Sequence, residues 1–433
     1  MKYYSTNKQA PEATLEEAVV KGLAADKGLF MPFTIKTLPQ EFYDSIDTLS
    51  FQEIAYRVAD AFFGEDVSAD TLKQIVYDTL SFDVPLVRVT ENIYSLELFH
   101  GPTLAFKDVG GRFMARLLGY FIKKEGKKQV NVLVATSGDT GSAVANGFLG
   151  VEGIHVYVLY PKGKVSEIQE KQFTTLGQNI TAIEVDGTFD DCQALVKSAF
   201  MDGELNEHLQ LTSANSINVA RFLPQAFYYF YAYAQLKRAG KGDNAVICVP
   251  SGNFGNITAG LFGKRMGLPV ERFIASNNRN DIFFQYLQTG VYTPRPSIAT
   301  IANAMDVGDP SNFARVLDLY GGSHAAISAE ISGATYTDEQ IAETMREVWK
   351  KDHYLLDPHG ACGFRALAEG LKPGETGVFL ETAHPAKFKD TVEKIIGEAV
   401  EIPAKPTAFM RGEKKSLPMS KDFADFKQYL MHV

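Results

Sequence analysis

The fold of this chain is decided by residues 130–148, which read VNVLVATSGDTGSAVANGF. The first six residues are a nearly continuous apolar run, and a run without polar alternation predicts a strand buried on both faces of a sheet. The run passes through a glycine turn directly into small residues that suit a helix. Parallel strands with crossover helices have this arrangement, so the stretch predicts an α/β fold.

The same pattern recurs along most of the chain. A second apolar run leads into the glycine turn Ser251-Gly252-Asn253-Phe254-Gly255-Asn256. We therefore expect two doubly wound parallel-sheet units, divided near residue 225, with ligands beyond the carboxyl ends of the strands. The predicted strands are residues 130–135, 154–160, 180–185, 245–249, 272–275 and 377–380.

The N-terminal part differs in its periodicity. Apolar residues recur at helical spacing over residues 15–22 and 51–59, which predicts a mainly helical segment. The predicted domains are a mainly helical N-terminal domain at 1–85, a first α/β unit at 86–225, a second α/β unit at 226–400 and a C-terminal strap at 401–433.

The composition limits the class of function. The 433 residues carry a net charge of −9, and Lys and Arg never form a block longer than two, which argues against a nucleic-acid surface. The three cysteines are widely spaced, so neither a disulfide framework nor a metal site is predicted. The N-terminus has no apolar leader, and the aromatic stretch at 227–233 is too short to span a bilayer. We expect a cytoplasmic protein that acts on a small molecule, as a monomer or a homodimer.

Lys107 is the first candidate for catalysis. It lies in His100-Gly101-Pro102-Thr103-Leu104-Ala105-Phe106-Lys107-Asp108, at the predicted start of a helix. A lysine forms an imine only as the neutral amine, and a helix N-terminus disfavours a cation. Gly110 and Gly111 interrupt this helix at about 1 kcal/mol each, so we expect a close backbone approach there. The alternative is a solvated surface lysine.

Each glycine turn can bind an anion, because free backbone N–H groups and the helix dipole converge there. Either turn alone could also serve packing. The sequence contains no G-x-x-x-x-G-K-[ST], no G-x-S-x-G and no H-E-x-x-H motif. Two turns of this kind indicate two anionic groups.

Five motifs lie at residues 100–108, 136–141, 215–218, 250–256 and 381–388. They closely resemble the threonine synthase family of pyridoxal-phosphate enzymes, in the branch that adds an N-terminal domain to the tryptophan-synthase-β-like fold (fold type II). Their order and spacing agree with that family over nearly the whole chain.

The resemblance implies which residues bind the cofactor pyridoxal 5′-phosphate. Lys107 is the expected Schiff-base lysine and general acid and base, with Phe106 beside it. Thr382 is expected to face the pyridine nitrogen. A neutral hydroxyl there leaves the ring unprotonated, so the ring is a weaker electron sink than one paired with Asp. The expected phosphate loop consists of Gly252, Asn253, Phe254, Gly255 and Asn256.

The resemblance also implies two substrate-binding sets. Thr136, Ser137 and Thr140 are expected to bind the substrate carboxylate. Asn215, Ser216 and Arg221 are expected to bind the phosphate of O-phospho-L-homoserine.

Asp139 departs from the wider fold, whose members carry Asn beside the phenolic oxygen of the cofactor. A carboxylate cannot donate to that oxygen unless it is protonated. The role of Asp139 in cofactor binding is therefore open.

The implied reaction converts O-phospho-L-homoserine and water to L-threonine and phosphate. A threonine or serine dehydratase of the same fold remains an alternative, since it would not need Asn215 and Arg221. A catalytically silent homologue that binds phosphorylated metabolites is a further alternative. His359 and His384 could act as acid or base or could position the backbone, and Lys162 and Lys164 could attract phosphate or lie in a solvated loop.

Overall fold

The computed structural model describes residues 1–126 and 129–433. Over these residues the chain forms fourteen strands: β1 (Lys2–Ser5), β2 (Ala13–Thr14), β3 (Phe30–Pro32), β4 (Leu86–Arg88), β5 (Ile93–Glu97), β6 (Val130–Ala135), β7 (Ile154–Pro161), β8 (Ile180–Val185), β9 (Gln210–Ser213), β10 (Ala245–Pro250), β11 (Arg272–Asn277), β12 (Ile331–Thr335), β13 (Thr376–Glu381) and β14 (Leu417–Met419).

The same residues contain twenty α-helices and four short 3₁₀-helices. The α-helices are α1 (Leu15–Lys21), α2 (Gln40–Ser45), α3 (Phe51–Phe63), α4 (Ala69–Thr79), α5 (Lys107–Glu125), α6 (Asp139–Phe148), α7 (Glu167–Thr174), α8 (Phe189–Met201), α9 (Gly203–His208), α10 (Val219–Phe222), α11 (Ala226–Arg238), α12 (Gly255–Arg265), α13 (Ile282–Thr289), α14 (Phe313–Leu319), α15 (His324–Glu330), α16 (Asp338–Asp352), α17 (Pro358–Gly370), α18 (Lys389–Ile396), α19 (Ala404–Met410) and α20 (Phe423–Leu430). The 3₁₀-helices are Ile46–Thr48, Leu223–Gln225, Asn303–Met305 and Pro385–Phe388.

The chain forms two compact units, each assembled from separate stretches. Unit 1 comprises Met1, Pro32–Phe106 and Phe222–Glu401. Unit 2 comprises Lys2–Met31, Lys107–Arg221 and Ile402–Val433. The division into four contiguous domains stays a prediction. The two compact units each combine several stretches of the chain, so they do not test its boundaries.

The sheet of unit 1 has the strand order β12–β11–β10–β13–β5–β4. Neighbouring strands are parallel except for β4 and β5, which are antiparallel. In the centre, Ile247 of β10 lies beside Phe273 on one side and Val378 on the other. Strand β10 is buried throughout, as its continuous apolar run requires. The carboxyl ends of β10 and β13 are therefore side by side.

The sheet of unit 2 has the strand order β14–β8–β7–β6–β9, and all of its pairs are parallel. Strand β6 pairs with β7 on one side, where Val130 lies beside Ile154, and with β9 on the other. The glycine turn after β6 and the segment after β9 therefore leave the sheet at the same edge. These two sheets confirm the predicted α/β fold and all six predicted strands.

The N-terminal part contains more strand than its periodicity predicts. The two predicted helices are confirmed as α1 and α3, and Thr14 and Glu17 form a capping box at the start of α1. A three-stranded sheet in the order β2–β1–β3 was missed. Its strands have two to four residues, too few to show an alternating pattern.

The C-terminal segment packs within unit 2. Strand β14 extends the sheet beside β8, and Phe426 and Leu430 of α20 are buried in the unit's core. The Lys414 ammonium lies 3.0 Å from Glu170 and 2.5 Å from Glu184. These contacts fasten the segment to α7 and β8.

Candidate active site

Lys107 is the first residue of α5 and is half-buried, which confirms its predicted place at a helix N-terminus. Backbone hydrogen bonds join the segment before it to the end of β13. The Phe106 N–H donates to the Thr382 carbonyl at 2.8 Å, and the His384 N–H donates to the Leu104 carbonyl at 3.0 Å. Two predicted cofactor residues, Phe106 and Thr382, are thereby brought together in unit 1.

The two glycines of α5 lie where other backbone approaches the helix. A Cβ added to Gly110 would lie 2.4 Å from the Arg221 carbonyl oxygen. A Cβ added to Gly111 would lie 2.9 Å from the Ala143 carbonyl oxygen, and one on Gly147 would lie 2.8 Å from the carbonyl of Gly111. Helices α5 and α6 therefore pack backbone to backbone just behind Lys107, as the glycine pair predicted.

The turn after β6 is organised by its own threonine. The buried Thr136 hydroxyl oxygen accepts from the N–H groups of Gly138 and Gly141 at 2.9 and 2.8 Å. Ser137 and Thr140 are only half-buried. Gly138, at the N-cap of α6, contributes no side-chain cap. Thr136 thus shapes the turn, while Ser137, Thr140 and the start of α6 provide its partly accessible polar groups.

Asp139 is held by Gln169, a residue that the sequence did not single out. The Gln169 amide nitrogen donates to an Asp139 carboxylate oxygen at 2.9 Å, and both side chains are buried. The amide oxygen of Gln169 accepts from the Ser166 N–H at 3.3 Å, which fixes the orientation of the amide. The only sequence signal was the capping box at residues 166–169, which marks a helix start and not a contact 30 residues earlier in the chain.

Asn215 and Ser216 lie beyond the carboxyl end of β9 and are half-buried. The Asn215 amide donates to the Ala135 carbonyl at 3.1 Å, which ties it to the last residue of β6. The segment that contains Asn215 therefore adjoins the turn that begins at Thr136.

Arg221 is 2% exposed and is therefore a buried residue. Its guanidinium donates to the carbonyl of Ala214, immediately before Asn215. Burial lowers the pKa of Arg221 to about 10, and the charge of buried Asp108 opposes the shift. The structure thus brings Arg221 to the Asn215 segment, where it contacts the backbone.

The turn after β10 has a backbone shape that suits an anion. Phe254 has φ 66° and precedes α12 without a side-chain cap. A Cβ on Gly252 would lie 2.8 Å from the Ala304 carbonyl oxygen, so only glycine fits there. An uncapped helix N-terminus beside a glycine turn offers free N–H groups to an anion.

Asn256, in the first turn of α12, is buried against two tyrosines. Its amide oxygen accepts from the hydroxyls of Tyr228 and Tyr229, each at 2.7 Å. Burial raises the pKa of both tyrosines, so both remain donors. The Asn256 amide nitrogen is a buried donor that has no acceptor in the described part of the chain.

Among the described residues, no group of three or more His, Cys, Asp or Glu side chains could hold a metal ion. Within the part of the chain that the structure describes, no helix is long and apolar enough to cross a membrane.

Sequence comparisons identify the family. The profile described as "Pyridoxal-phosphate dependent enzyme" matches residues 83–382, "Threonine synthase N terminus" matches residues 2–80, and "Threonine synthase, C-terminal" matches residues 360–430. The threonine synthase of Haemophilus influenzae is 44% identical over 431 residues, which is 100% of both chains. The chain belongs to the threonine synthase family.

Solved structures agree with this assignment. The crystal structure of threonine synthase from Escherichia coli matches at a TM-score of 0.93 with 44% identity, covering 100% of both chains. The structure of pyridoxal-phosphate-bound threonine synthase from Brucella melitensis matches at 0.93 with 36% identity, covering 100% of this chain and 99% of the other. The chain is therefore a lyase of fold type II that uses pyridoxal phosphate. The predicted family, fold, enzyme class and cofactor are confirmed.

Proposed function

We propose that the enzyme converts O-phospho-L-homoserine and water to L-threonine and phosphate, the last step of threonine biosynthesis. The observation that supports this substrate most directly is the meeting of polar residues at one edge of the unit 2 sheet. Asn215 is hydrogen-bonded to the residue before Thr136, so a carboxylate-binding turn and the segment expected to bind the substrate phosphate adjoin. A substrate with both groups fits this pair.

The residues present also fit the cofactor. The Gly252–Asn256 turn, with its open helix N-terminus and the buried amide donor of Asn256, would hold the cofactor phosphate. Lys107 would bond to the cofactor aldehyde, and the hydroxyl of the nearly buried Thr382 would face the ring nitrogen. When bound, the cofactor supplies an electron sink for the carbanions that form next to the substrate nitrogen.

Proton transfer is assigned to Lys107. Once its amine is released, Nζ removes the proton from Cα of the substrate and then one from Cβ, so that phosphate leaves from Cγ. One proton is then returned to Cγ, water adds its hydroxyl group at Cβ while its second proton goes to the phosphate that has left, and the other proton is returned to Cα. The half-buried position of Lys107 at a helix N-terminus favours the neutral amine that these transfers require.

The substrate groups are assigned to two sets of side chains. Ser137 and Thr140 bind the carboxylate, together with the N–H groups at the start of α6, and Thr136 keeps this turn in shape. Asn215 and Ser216 bind the phosphate. Arg221 supports them with its charge and by fixing the Ala214 carbonyl.

The decisive experiment compares substrates. We expect the purified enzyme to release phosphate from O-phospho-L-homoserine in equal amount to the L-threonine formed, and to be nearly inactive with L-threonine or L-serine alone. Ammonia and 2-oxo acid from those amino acids, without phosphate release from phosphohomoserine, would instead identify a dehydratase. A protein that binds phosphohomoserine without turnover would be the silent homologue. The cytoplasmic location stays a prediction.

A further inference from the structure

His359 of unit 1 has a ring tautomer that its hydrogen-bond partners fix. The residue is in the first turn of α17 and is 2% exposed. Its Nε2 accepts a hydrogen bond from the Ala304 N–H at 3.1 Å. Since a backbone N–H can only donate, Nε2 carries a lone pair, and the neutral ring must hold its proton on Nδ1.

Asp357 accepts the hydrogen bond from Nδ1–H and is itself fixed by two further hydrogen bonds. The His359 Nδ1 lies 2.6 Å from one Asp357 carboxylate oxygen, and the other oxygen accepts from the Gly360 N–H at 2.6 Å. The Asp357 N–H donates to the Glu381 carboxylate at 2.7 Å. The imidazole ring therefore has one orientation, with Nε2 directed at Ala304.

Ala304 in turn lies against the turn that we assign to the cofactor phosphate. Its carbonyl oxygen is the atom that a Cβ on Gly252 would approach to 2.8 Å, and the Met305 Cα would be 3.3 Å away. The 3₁₀-helix Asn303–Met305 thus forms a wall against the Gly252 backbone.

This wall belongs to a segment with little regular structure. Residues 291–302 form no helix or strand, and most of 291–299 is exposed. Polar side chains fix the segment instead. Asp306 accepts from Thr300, Asn278 and Asn280, and His359 holds Ala304 from α17. Loss of one such anchor leaves few others to keep the wall in place.

We propose that His359 is a positioning residue for the cofactor phosphate: by accepting from the Ala304 N–H it holds the 303–305 wall against Gly252 and so fixes the shape of the phosphate turn. The proposal rests on the assignment of residues 252–256 to that phosphate. It also gives His359 a backbone-positioning role and no part in proton transfer.

Two conservative variants separate the two ring nitrogens. In His359→Asn the amide occupies the place of Nδ1, so the Asp357 contact is kept and the Ala304 contact is lost. In His359→Gln the amide reaches the place of Nε2, so an acceptor for Ala304 is kept. The affinity of each apoenzyme is measured for pyridoxal phosphate and for pyridoxal, which lacks the phosphate, with His324→Asn as a control on α15, where the ring contacts the Leu287 carbonyl.

We expect His359→Asn to bind pyridoxal phosphate about tenfold more weakly, the effect of one lost hydrogen bond, with unchanged affinity for pyridoxal. His359→Gln and His324→Asn should stay close to the parent enzyme. Equal losses for both ligands, or no loss in His359→Asn, would overturn the positioning role. Nitrogen NMR of the unmodified enzyme gives a second test that needs no variant, because a proton found on Nε2 would also overturn it.

Gly252→Ala tests the underlying assignment separately. This variant should weaken the binding of pyridoxal phosphate and leave the binding of pyridoxal unchanged, because the new Cβ would press on the Ala304 carbonyl. If Gly252→Ala weakens both ligands equally or neither, then residues 252–256 do not bind the cofactor phosphate. That result would contradict the proposed function of the turn, on which the role of His359 rests.

Discussion

Gly110→Ala tests whether close packing behind Lys107 is necessary. The new Cβ would lie 2.4 Å from the Arg221 carbonyl oxygen, about 1 Å closer than the 3.4 Å at which ordinary contact begins. The obstacle is buried backbone, which cannot rotate away as a side chain can. Either α5 or the Arg221 segment must therefore move by about 1 Å.

The magnitude follows from two opposing effects. Alanine stabilises a helix interior by about 1 kcal/mol relative to glycine, whereas overpacking of a dense interior costs about 1–3 kcal/mol. Because the contact here is with rigid backbone, we expect overpacking to prevail and the free energy of unfolding to fall by about 1–2 kcal/mol. Lys107 is one helical turn away, so activity should fall as well.

Gly119→Ala is the matched control on the same helix. Its Cβ would meet only a methyl of Val151, at 3.1 Å, and a side chain can yield. This variant should be neutral or more stable by up to about 1 kcal/mol. Urea unfolding followed by circular dichroism measures stability, and the visible absorbance of the cofactor reports on Lys107. A Gly110→Ala enzyme as stable and as active as its parent would refute the packing argument.

Three further perturbations test the site and its supports. Lys107→Ala should fold but lose the visible absorbance of the lysine-bound cofactor and several orders of magnitude in turnover; near-normal steady-state activity would remove the central assignment. Arg221→Lys should lower kcat/KM for phosphohomoserine by a free energy on the order of 2 kcal/mol, because a point charge replaces the planar fork that holds the Ala214 carbonyl beside Asn215. It should also weaken inhibition by inorganic phosphate without loss of cofactor. Unchanged kinetics would mean that Arg221 does not support the phosphate-binding residues. Burial raises the pKa of Asp306 to about 6. Its contribution to stability is therefore complete below its unfolded pKa near 3.8 and is lost as the pH rises through 6. In Asp306→Asn the free energy of unfolding should fall less steeply between pH 4 and 6, and an unchanged slope would contradict the shift.

The strands that could be predicted from the sequence are those whose residues are almost all apolar and therefore favour burial. Strand β10 is a continuous apolar run and β6 is one except for Asn131, and every residue in both is buried. Strand β9 reads Gln-Leu-Thr-Ser, and β14 is Leu-Pro-Met, with a proline at its centre. Neither has a strand-like pattern, because pairing with neighbours far along the chain decides their conformation. Sequence periodicity cannot report such pairing.

Arg221 shows a similar limit for side chains. Its place near Asn215 in the sequence correctly suggested proximity, and its hydrogen bond to Ala214 bears this out. Its burial could not be predicted from the sequence, because it depends on Gly110, which has no side chain and so lets the Arg221 backbone pack closely against α5. A glycine on one helix thus determines whether a charged residue on another segment is buried.

Asp139 is the residue for which the structure adds most to the sequence. A lone carboxylate after a glycine turn could be protonated and act as a donor. Here the Gln169 amide nitrogen donates to one of its oxygens, and the opposite end of that amide is committed to the Ser166 N–H. Gln169 therefore presents the donor end of its amide to Asp139, and this contact fastens the start of α6 to α7. The shape of the turn after β6 depends on Gln169, and a part for Asp139 in cofactor binding stays a prediction.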